Sequence, residues 1–129
     1  MKYEFSPEIQ KLATEVSLIL FPHVDMTNVM CFKSYGTSSK RTIARCHGLG
    51  KLFQKAFGMK KGFYLLEFLG ERFDKLSDED KLKTIIHELM HIPYNFGGGF
   101  KHHDHVTEKN VTKMFEKYLE VKNENNLQI

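Results

Sequence analysis

The feature that most constrains this chain is a pair of histidines, His87 and His91, four positions apart, with Glu88 directly after the first. The segment around them begins at Ser77, a residue type that caps helix N-termini, and three acidic residues follow it where they complement the helix dipole. Residues four apart lie on one face of a helix, one turn from each other. The spacing therefore predicts a helix from Ser77 to about Tyr94 that presents both imidazoles to the same neighbouring space.

The opposite side of this helix is expected to face a hydrophobic core. At about 100° per residue, four apolar residues point roughly away from the histidine pair: Leu82, Ile85, Ile86 and Leu89. Two surface histidines would satisfy the same spacing, so Glu88 separates the two interpretations. A carboxylate beside His87 can take a proton from a water activated by a metal ion, and two such histidines can bind a tetrahedral Zn²⁺. The His-Glu-x-x-His (HExxH) pattern therefore predicts a zinc site at His87 and His91, with Glu88 as the catalytic base.

A catalytic zinc site takes three protein ligands and leaves one position for water. A histidine six residues after His91 would complete the metzincin pattern, but residue 97 is glycine, which excludes that class. Three histidines lie just before the last predicted helix and are candidates for the third ligand: His102, His103 and His105. Two carboxylates on that helix are the alternative: Glu108 and Glu116.

The remaining pattern predicts one α+β domain over residues 1–129. The predicted elements are a helix capped by Ser6 and ending before Pro22, strands at 29–35 and 41–46, a helix at 49–57, a strand at 63–69, the helix from Ser77, and a helix at 107–121. The order α-β-β-α-β-α-α indicates a three-stranded sheet with flanking helices. We expect the polar tail from about residue 122 to fray.

The two cysteines fall in the first two predicted strands. If strands 29–35 and 41–46 form a hairpin, Cys31 lies opposite Cys46 at a separation that a disulfide can bridge. Two buried, reduced thiols are the expected state in the cytoplasm. A metal site from Cys31, Cys46 and His47 is an alternative, although it lacks an evident fourth ligand.

Charge and apolar content indicate which kinds of partner the protein could bind. The formal net charge of +3 is typical of a mildly basic surface. One basic cluster favours an anionic partner such as nucleic acid: Lys33, Lys40, Arg41 and Arg45. No apolar stretch approaches the ~20 residues that span a bilayer, and the N-terminus lacks a secretory signal. We therefore expect a cytoplasmic protein without a membrane partner.

The stretch from Ala44 to His103 resembles a family of small predicted archaeal metallopeptidases related to SprT-like zinc proteases. The matching pieces are ARCHGLGKLFQKAFG (44–58), FDKLSDEDKLKTIIHELMHIP (73–93) and FGGGFKHH (96–103). The resemblance implies a zincin-like fold around the HExxH helix, and it implies His103 as the third ligand. The chain lacks the Cys-rich zinc ribbon of many SprT-like proteins, so the resemblance implies no DNA-linked role.

Together these patterns predict zinc-dependent hydrolysis of peptide bonds. The strand at 63–69 is a candidate sheet edge for an extended peptide substrate. Three residues are candidate donors to the oxyanion: Tyr94, His102 and His105. The glycine run at 97–99 predicts a loop, either a mobile lip or a tight turn. The rival interpretations are a zinc-binding protein without turnover and a basic, nucleic-acid-associated module with a structural metal.

Overall fold

The computed structural model describes residues 1–127. Its elements in chain order are β1 (Lys2–Phe5), α1 (Pro7–Leu20), a 3-10 turn (Met26–Asn28), β2 (Val29–Tyr35), β3 (Ala44–Gly48), α2 (Lys51–Ala56), β4 (Tyr64–Leu69), α3 (Gly70–Phe73), α4 (Asp78–Met90) and α5 (Glu108–Leu127). The strands form one four-stranded sheet in the order β1-β2-β4-β3. Helices α1 and α4 contact β2 and β3 respectively, and α5 packs against both helices.

The α+β class is confirmed, but the sheet has four strands and not the three predicted. The additional strand is β1, which pairs antiparallel with β2 from Lys2 opposite Tyr35 to Phe5 opposite Phe32. All four residues of β1 are exposed, so the strand has no alternation of buried and exposed positions. Such alternation is the signal by which a sequence predicts a strand, which is why β1 was missed.

The predicted hairpin between residues 29 and 46 is wrong, because β4 lies between β2 and β3. Strand β2 pairs parallel with β4, and β3 pairs antiparallel with it. Cys31 and Cys46 both oppose Leu66, one from each side. With ~4.8 Å between neighbouring strands they lie about 9–10 Å apart, beyond the reach of a disulfide, and both are free thiols.

The position of β4 also corrects the expected sheet edge. Residues 63–69 were predicted to offer an edge to substrate, but β4 is central and five of its six residues are buried. Strand β4 is flanked by a strand on each edge and packs Tyr64, Leu66 and Phe68 into the core, and this explains its largely apolar sequence, YLLEFL. The strand at this end of the sheet is β3, so the open edge belongs to β3.

The helices were predicted well at their N-termini. The hydroxyls of Ser6 and Ser77 accept hydrogen bonds from the amides of Ile9 and Asp80, as expected of N-caps. The polar segment expected to fray from residue 122 continues α5 as a helix to Leu127, and residues 128 and 129 lie outside the described residues. The short helix α3 was not predicted. None of the helices within residues 1–127 is long and apolar enough to cross a bilayer.

The core lies between the sheet and its three long helices. Its fully buried members come from α1, from the strands and from α4: Ala13, Val16, Tyr64, Leu66, Phe68, Ile85, Ile86 and Leu89. Leu82, the fourth apolar residue predicted for α4, is half-buried against this cluster. The predicted apolar side of α4 is therefore confirmed, and its histidine side faces away from the core.

Candidate metal centre

Helix α4 brings His87 and His91 together at its C-terminal end. Their ring centroids are 5.1 Å apart, as expected for residues one turn apart on one face. The helix ends at Met90 and not near Tyr94, so His91 occupies the C-cap position. Pro93 explains the earlier end, because a proline clashes with a helical conformation in the residue before it and donates no backbone hydrogen bond.

The chain then turns back toward α4 through the glycine run. Phe96 adopts a left-handed backbone, with φ of 50°, an uncommon conformation for a residue with a side chain. Gly98 has φ of 98°, and a Cβ there would lie 2.4 Å from the carbonyl oxygen of Leu49, so only glycine fits. The predicted loop is confirmed, and it is a tightly packed turn.

Side chains of β4 and α2 fix this turn to the sheet and to the helix. The Tyr64 hydroxyl lies 2.8 Å from the amide of Gly98, which donates to it, and 2.8 Å from the carbonyl of Gly99, which accepts from it. Gln54 Nε2 donates to the carbonyl of Gly97 at 3.0 Å. Because Tyr64 is fully buried, the loop is held in one position relative to the core.

The fixed loop delivers His103 to the histidine pair. The ring centroid of His103 lies 5.5 Å from that of His87 and 4.9 Å from that of His91. One potential ligand atom from each of the three residues lies within 4.8 Å of the others, a group that can hold a metal ion. It is the one such group of histidines, cysteines and carboxylates within residues 1–127.

His91 is oriented for binding by the backbone of Lys101. Its Nδ1 lies 2.6 Å from the Lys101 carbonyl oxygen, which can only accept, so Nδ1 carries the proton and donates. The Lys101 amide in turn donates to the His91 carbonyl at 2.8 Å. The lone pair of His91 is thereby left on Nε2, the arrangement in which a histidine ligates a metal while its other nitrogen binds a carbonyl.

Burial favours the neutral form of two of the imidazoles, those of His87 and His91. Burial, together with the neighbouring His91 and His103, lowers the pKa of His87 to about 4. Burial likewise lowers the pKa of His91, despite the opposing effect of its hydrogen bond to Lys101. A neutral imidazole has a free lone pair and is the form that binds metal. The three histidines therefore fit a divalent cation such as Zn²⁺ by donor type and spacing, and the lowered pKa values of His87 and His91 favour the form that binds it.

Glu88 lies beside the cluster but is oriented differently from the histidines. Its carboxylate is 3.9 Å from His87 Nε2, and because that imidazole is neutral, the contact is not an ion pair at neutral pH. The residue is 5% exposed, and burial raises the pKa of its carboxyl to about 7. A carboxyl with a pKa near neutrality can both accept and release a proton under physiological conditions.

The three histidines and Glu88 line a cleft between β3 and the loop after the glycines. This part of the cleft has a volume of about 320 Å³, and Ala44, Cys46 and Phe100 form its walls. A second depression of about 550 Å³ adjoins it and shares Ala44, His87 and Glu88 with it. The two depressions form a continuous groove that passes Glu88 along the β3 edge.

The other predicted ligands lie apart from the cluster. His102 lines the cleft without joining the group, whereas His105 and Tyr94 line a separate depression near the end of α1. Glu108 lines the second arm of the groove, and Glu116 is exposed on α5. Of the proposed oxyanion donors, His102 is therefore the one beside the cluster.

The alternative metal site at the cysteines is not formed. Successive residues of a strand point to opposite faces, so Cys46 faces the cleft while His47 binds Glu67 on the other face of the sheet, at 2.8 Å. Burial raises the pKa of Cys31 to about 12 and also raises that of Cys46, so both thiols stay protonated. Protonated thiols are poor ligands and poor nucleophiles.

Three groups that position the site were missed from the sequence: the Tyr64 hydroxyl, the Gln54 amide and the Lys101 backbone. A tyrosine in an otherwise apolar strand was one available signal, because a buried hydroxyl requires a partner and glycine loops offer free backbone groups. Nothing in a sequence marks a backbone carbonyl, so the Lys101 contact had no signal.

The basic cluster predicted to attract an anionic partner is partly paired within the protein. Lys33 Nζ lies 2.8 Å from Asp74, and Arg45 Nη1 lies 3.5 Å from Glu67. Arg41 lines the second arm of the groove. A nucleic-acid partner stays a prediction.

Comparison with known proteins agrees with the chemistry of the cleft. A family model described as "Putative phage metallopeptidase" matches residues 1–123. No curated protein and no solved structure is significantly similar to the chain. The match confirms the predicted metallopeptidase family, while the SprT-like kinship and the archaeal source stay predictions. Because the model covers nearly the whole sequence, the chain belongs to the family of phage metallopeptidases that this description names.

Proposed function

We propose that this chain is a zinc-dependent peptidase in which His87, His91 and His103 hold the ion and Glu88 is the general base. One observation carries the proposal: a buried carboxylate, with its pKa raised to about 7, adjoins a group of three histidines in an open groove. The group has three members within the described residues, and a three-ligand zinc site leaves a position for water, as catalytic sites do.

The histidines and Glu88 divide the chemistry between them. A divalent ion held there supplies Lewis-acid polarisation of a water molecule and of the scissile carbonyl. Glu88 takes the proton from the attacking water and passes it to the nitrogen of the leaving amine. Burial keeps the Glu88 carboxyl close to its point of half-protonation near neutral pH, which suits a group that must accept and then donate.

The open edge of β3 supports an extended peptide as substrate. The Leu69 amide donates to the Ile43 carbonyl, and the Leu49 amide donates to that of Phe63, each at 2.8 Å. In an antiparallel pair such bonded positions alternate with unbonded ones. The backbone groups of residues 44 and 46 therefore turn outward, along the groove that passes Glu88. A peptide strand added there would run alongside the proposed ligands.

The test is Glu88→Gln, which keeps the shape of the side chain and removes its basicity. We expect turnover to fall by ~10²–10⁴-fold while zinc content is unchanged. An unfolded protein substrate is suitable because it presents many extended sequences. Glu116→Gln, an exposed change on α5, serves as the matched control and should leave turnover unchanged.

Two results would contradict the proposal. Absence of cleavage by the zinc-loaded parent would favour a zinc-binding protein without turnover. Equal cleavage by the Glu88→Gln variant would remove Glu88 from the mechanism. Loss of cleavage on adding a chelator, with recovery on adding zinc, separates the protein's own activity from that of a contaminating serine protease.

The sequence resemblance also suggests which peptidases this enzyme is related to. We propose a zincin-like arrangement related to the SprT-like proteases, acting in the cytoplasm. The α+β sheet, with an HExxH helix packed beneath a free edge strand, supports this arrangement. Glu88 favours an enzyme over the rival module with a structural metal, because a closed site has no need of a base.

A further inference from the structure

Helix α2 presents its apolar face to solvent. Leu52, Phe53 and Phe57 are 81%, 58% and 68% exposed. The two phenylalanine rings stack on each other, with centroids 6.2 Å apart. The helix predicted at 49–57 has its apolar residues at helical spacing, and such an amphipathic helix ordinarily buries its apolar face. In the structure this face is left open.

The orientation of α2 is fixed by its polar side. Gln54, on the side away from Leu52, donates from Nε2 to the carbonyls of Leu49 at 2.7 Å and Gly97 at 3.0 Å. Gly58, with φ of 67°, ends the helix and directs the chain back to the sheet. These contacts hold the apolar side chains outward as a protrusion.

Positive charge lies on the side of α2 opposite these apolar residues and in the segments before and after the helix. Residues 26–66 contain eight lysines and arginines and no aspartate or glutamate. Four of these lysines line a single depression of about 510 Å³ beside α2: Lys51, Lys55, Lys60 and Lys61. Asp25 lies at its rim, 3.3 Å from Lys61. Charge asymmetry of this kind within one chain is typical of proteins that meet an anionic surface.

We propose that residues 50–61 dock the protein onto an anionic lipid membrane. The apolar side chains of α2 enter the boundary between headgroups and acyl chains, while the lysines bind the lipid phosphates. Lysine suits this position because its aliphatic stem lies along the apolar layer and its ammonium reaches the headgroups. Lys51 and Lys55 lie on the polar side of α2, opposite the inserted side chains, as lysines do on helices that lie in the membrane interface.

The alternative partners fit the surface less well. A nucleic acid would neutralise the lysines but would leave Leu52, the most exposed of the three apolar residues, in water. Bases stack on aromatic faces, and Leu52 offers them none. A second copy of the chain would bring two lysine clusters together, and like charges across an interface are unfavourable.

Surface docking does not require a spanning helix. The sequence predicted no membrane partner because no apolar segment is long enough to cross a bilayer. A short apolar protrusion with basic neighbours binds the interface without crossing it. The proposal therefore goes beyond the peptidase function and does not depend on it.

Sedimentation with vesicles tests the proposal on the full chain. We expect binding to vesicles of phosphatidylcholine with phosphatidylglycerol, weakened by salt, and no binding to phosphatidylcholine alone. Replacing Leu52, Phe53 and Phe57 together by serine should abolish binding. The matched control is Leu18→Ser, because Leu18 is 75% exposed on α1 and does not line the four-lysine depression. Lys51→Gln and Lys55→Gln should each weaken binding about fivefold, whereas Lys117→Gln on α5 should not.

A fluorescence measurement reports insertion directly. The chain has no tryptophan, so Phe57→Trp introduces a single reporter whose emission should shift to the blue on anionic vesicles. Leu18→Trp should not shift. Failure of the parent to bind anionic vesicles, or full binding by the triple serine variant, would overturn the proposal. A preference for single-stranded DNA over the vesicles would overturn it in favour of a nucleic-acid surface.

Discussion

Helices α4 and α2 carry similar apolar spacing in the sequence and have opposite surroundings in the structure. In α4, Ile85, Ile86 and Leu89 are completely buried. In α2, Leu52 and Phe57 stand in solvent. Periodicity therefore identifies a helix and its apolar face, but the cover for that face comes from elements that are distant in sequence, or from a partner.

The difference has a structural cause in what each helix contacts. Helix α4 spans 13 residues and packs against α1, α5 and β3, which together surround its apolar side. Helix α2 has six residues, and its hydrogen bonds to the rest of the protein run through the inward-facing Gln54. Helix α4 is part of the core that positions the metal centre, whereas α2 lies at the surface of the protein.

The largest expected effect is on stability, in α4. Leu89→Ala removes a fully buried side chain and should lower the free energy of unfolding by ~2–5 kcal/mol, because it leaves a cavity. Leu52→Ala in α2 makes the same chemical change in solvent and should stay within about 0.5 kcal/mol of the parent. Urea denaturation measures both. Equal losses of unfolding free energy in the two variants would show that the apolar face of α2 is covered in solution, as that of α4 is.

A smaller loss of stability is expected for changes at the contacts by which α2 and the sheet hold the glycine loop. Tyr64→Phe leaves the Gly98 amide and the Gly99 carbonyl without their buried partner, at a cost of ~1–3 kcal/mol. Zinc affinity should fall as well, since this loop carries His103. Tyr3→Phe, at a residue 61% exposed, is the control. If Tyr64→Phe loses stability but keeps full zinc affinity, the loop does not position the third histidine.

A further contrast comes from the sheet face opposite the core, where the Glu67 carboxylate is buried and binds the side chains of Ser34 and His47. Burial alone would raise the pKa of Glu67, but the Ser34 hydroxyl, His47 and the charge of Arg45 outweigh it and lower the pKa below 4.5. A lowered folded-state pKa stabilises the protein above the unfolded value, and the gain is lost as pH falls through the folded value. The Glu67 contribution should therefore be complete at neutral pH and disappear in acid.

Unfolding measured at neutral pH and well below pH 4.5 tests this contribution. Glu67→Gln should destabilise the protein at neutral pH and reduce the loss of stability between the two conditions. Glu4→Gln, an exposed change on β1, should leave the pH dependence as in the parent. A Glu67→Gln variant with the parent's full acid sensitivity would contradict the assignment.

Local signals made much of the fold predictable. The caps at Ser6 and Ser77 are set by side chains within three residues of the amides that they bind, and the spacing of His87 and His91 follows from helix geometry. The insertion of β4 between β2 and β3 was not predictable in this way. Pairing joins residues far apart in sequence, and the apolar composition of β4 shows that it is buried without showing which strands flank it.

The residues of the site also differ in how far local sequence predicted them. The motif identified His87, Glu88 and His91, because all three lie within five residues on one helix. The choice among the downstream histidines depended on a resemblance, since the path of the glycine loop decides which of them reaches α4. That path is set by Tyr64 and Gln54, whose roles are defined by contacts with backbone groups more than 30 residues away.

Zinc titration of the metal-free protein shows whether three histidines share one ion. We expect one zinc per chain for the parent and for His105→Ala, whose side chain faces a different depression. His103→Ala should weaken binding by more than the ~10–100-fold that removing a ligand's hydrogen-bond partner costs. Unchanged zinc affinity in His103→Ala, or its loss in His105→Ala, would contradict the account.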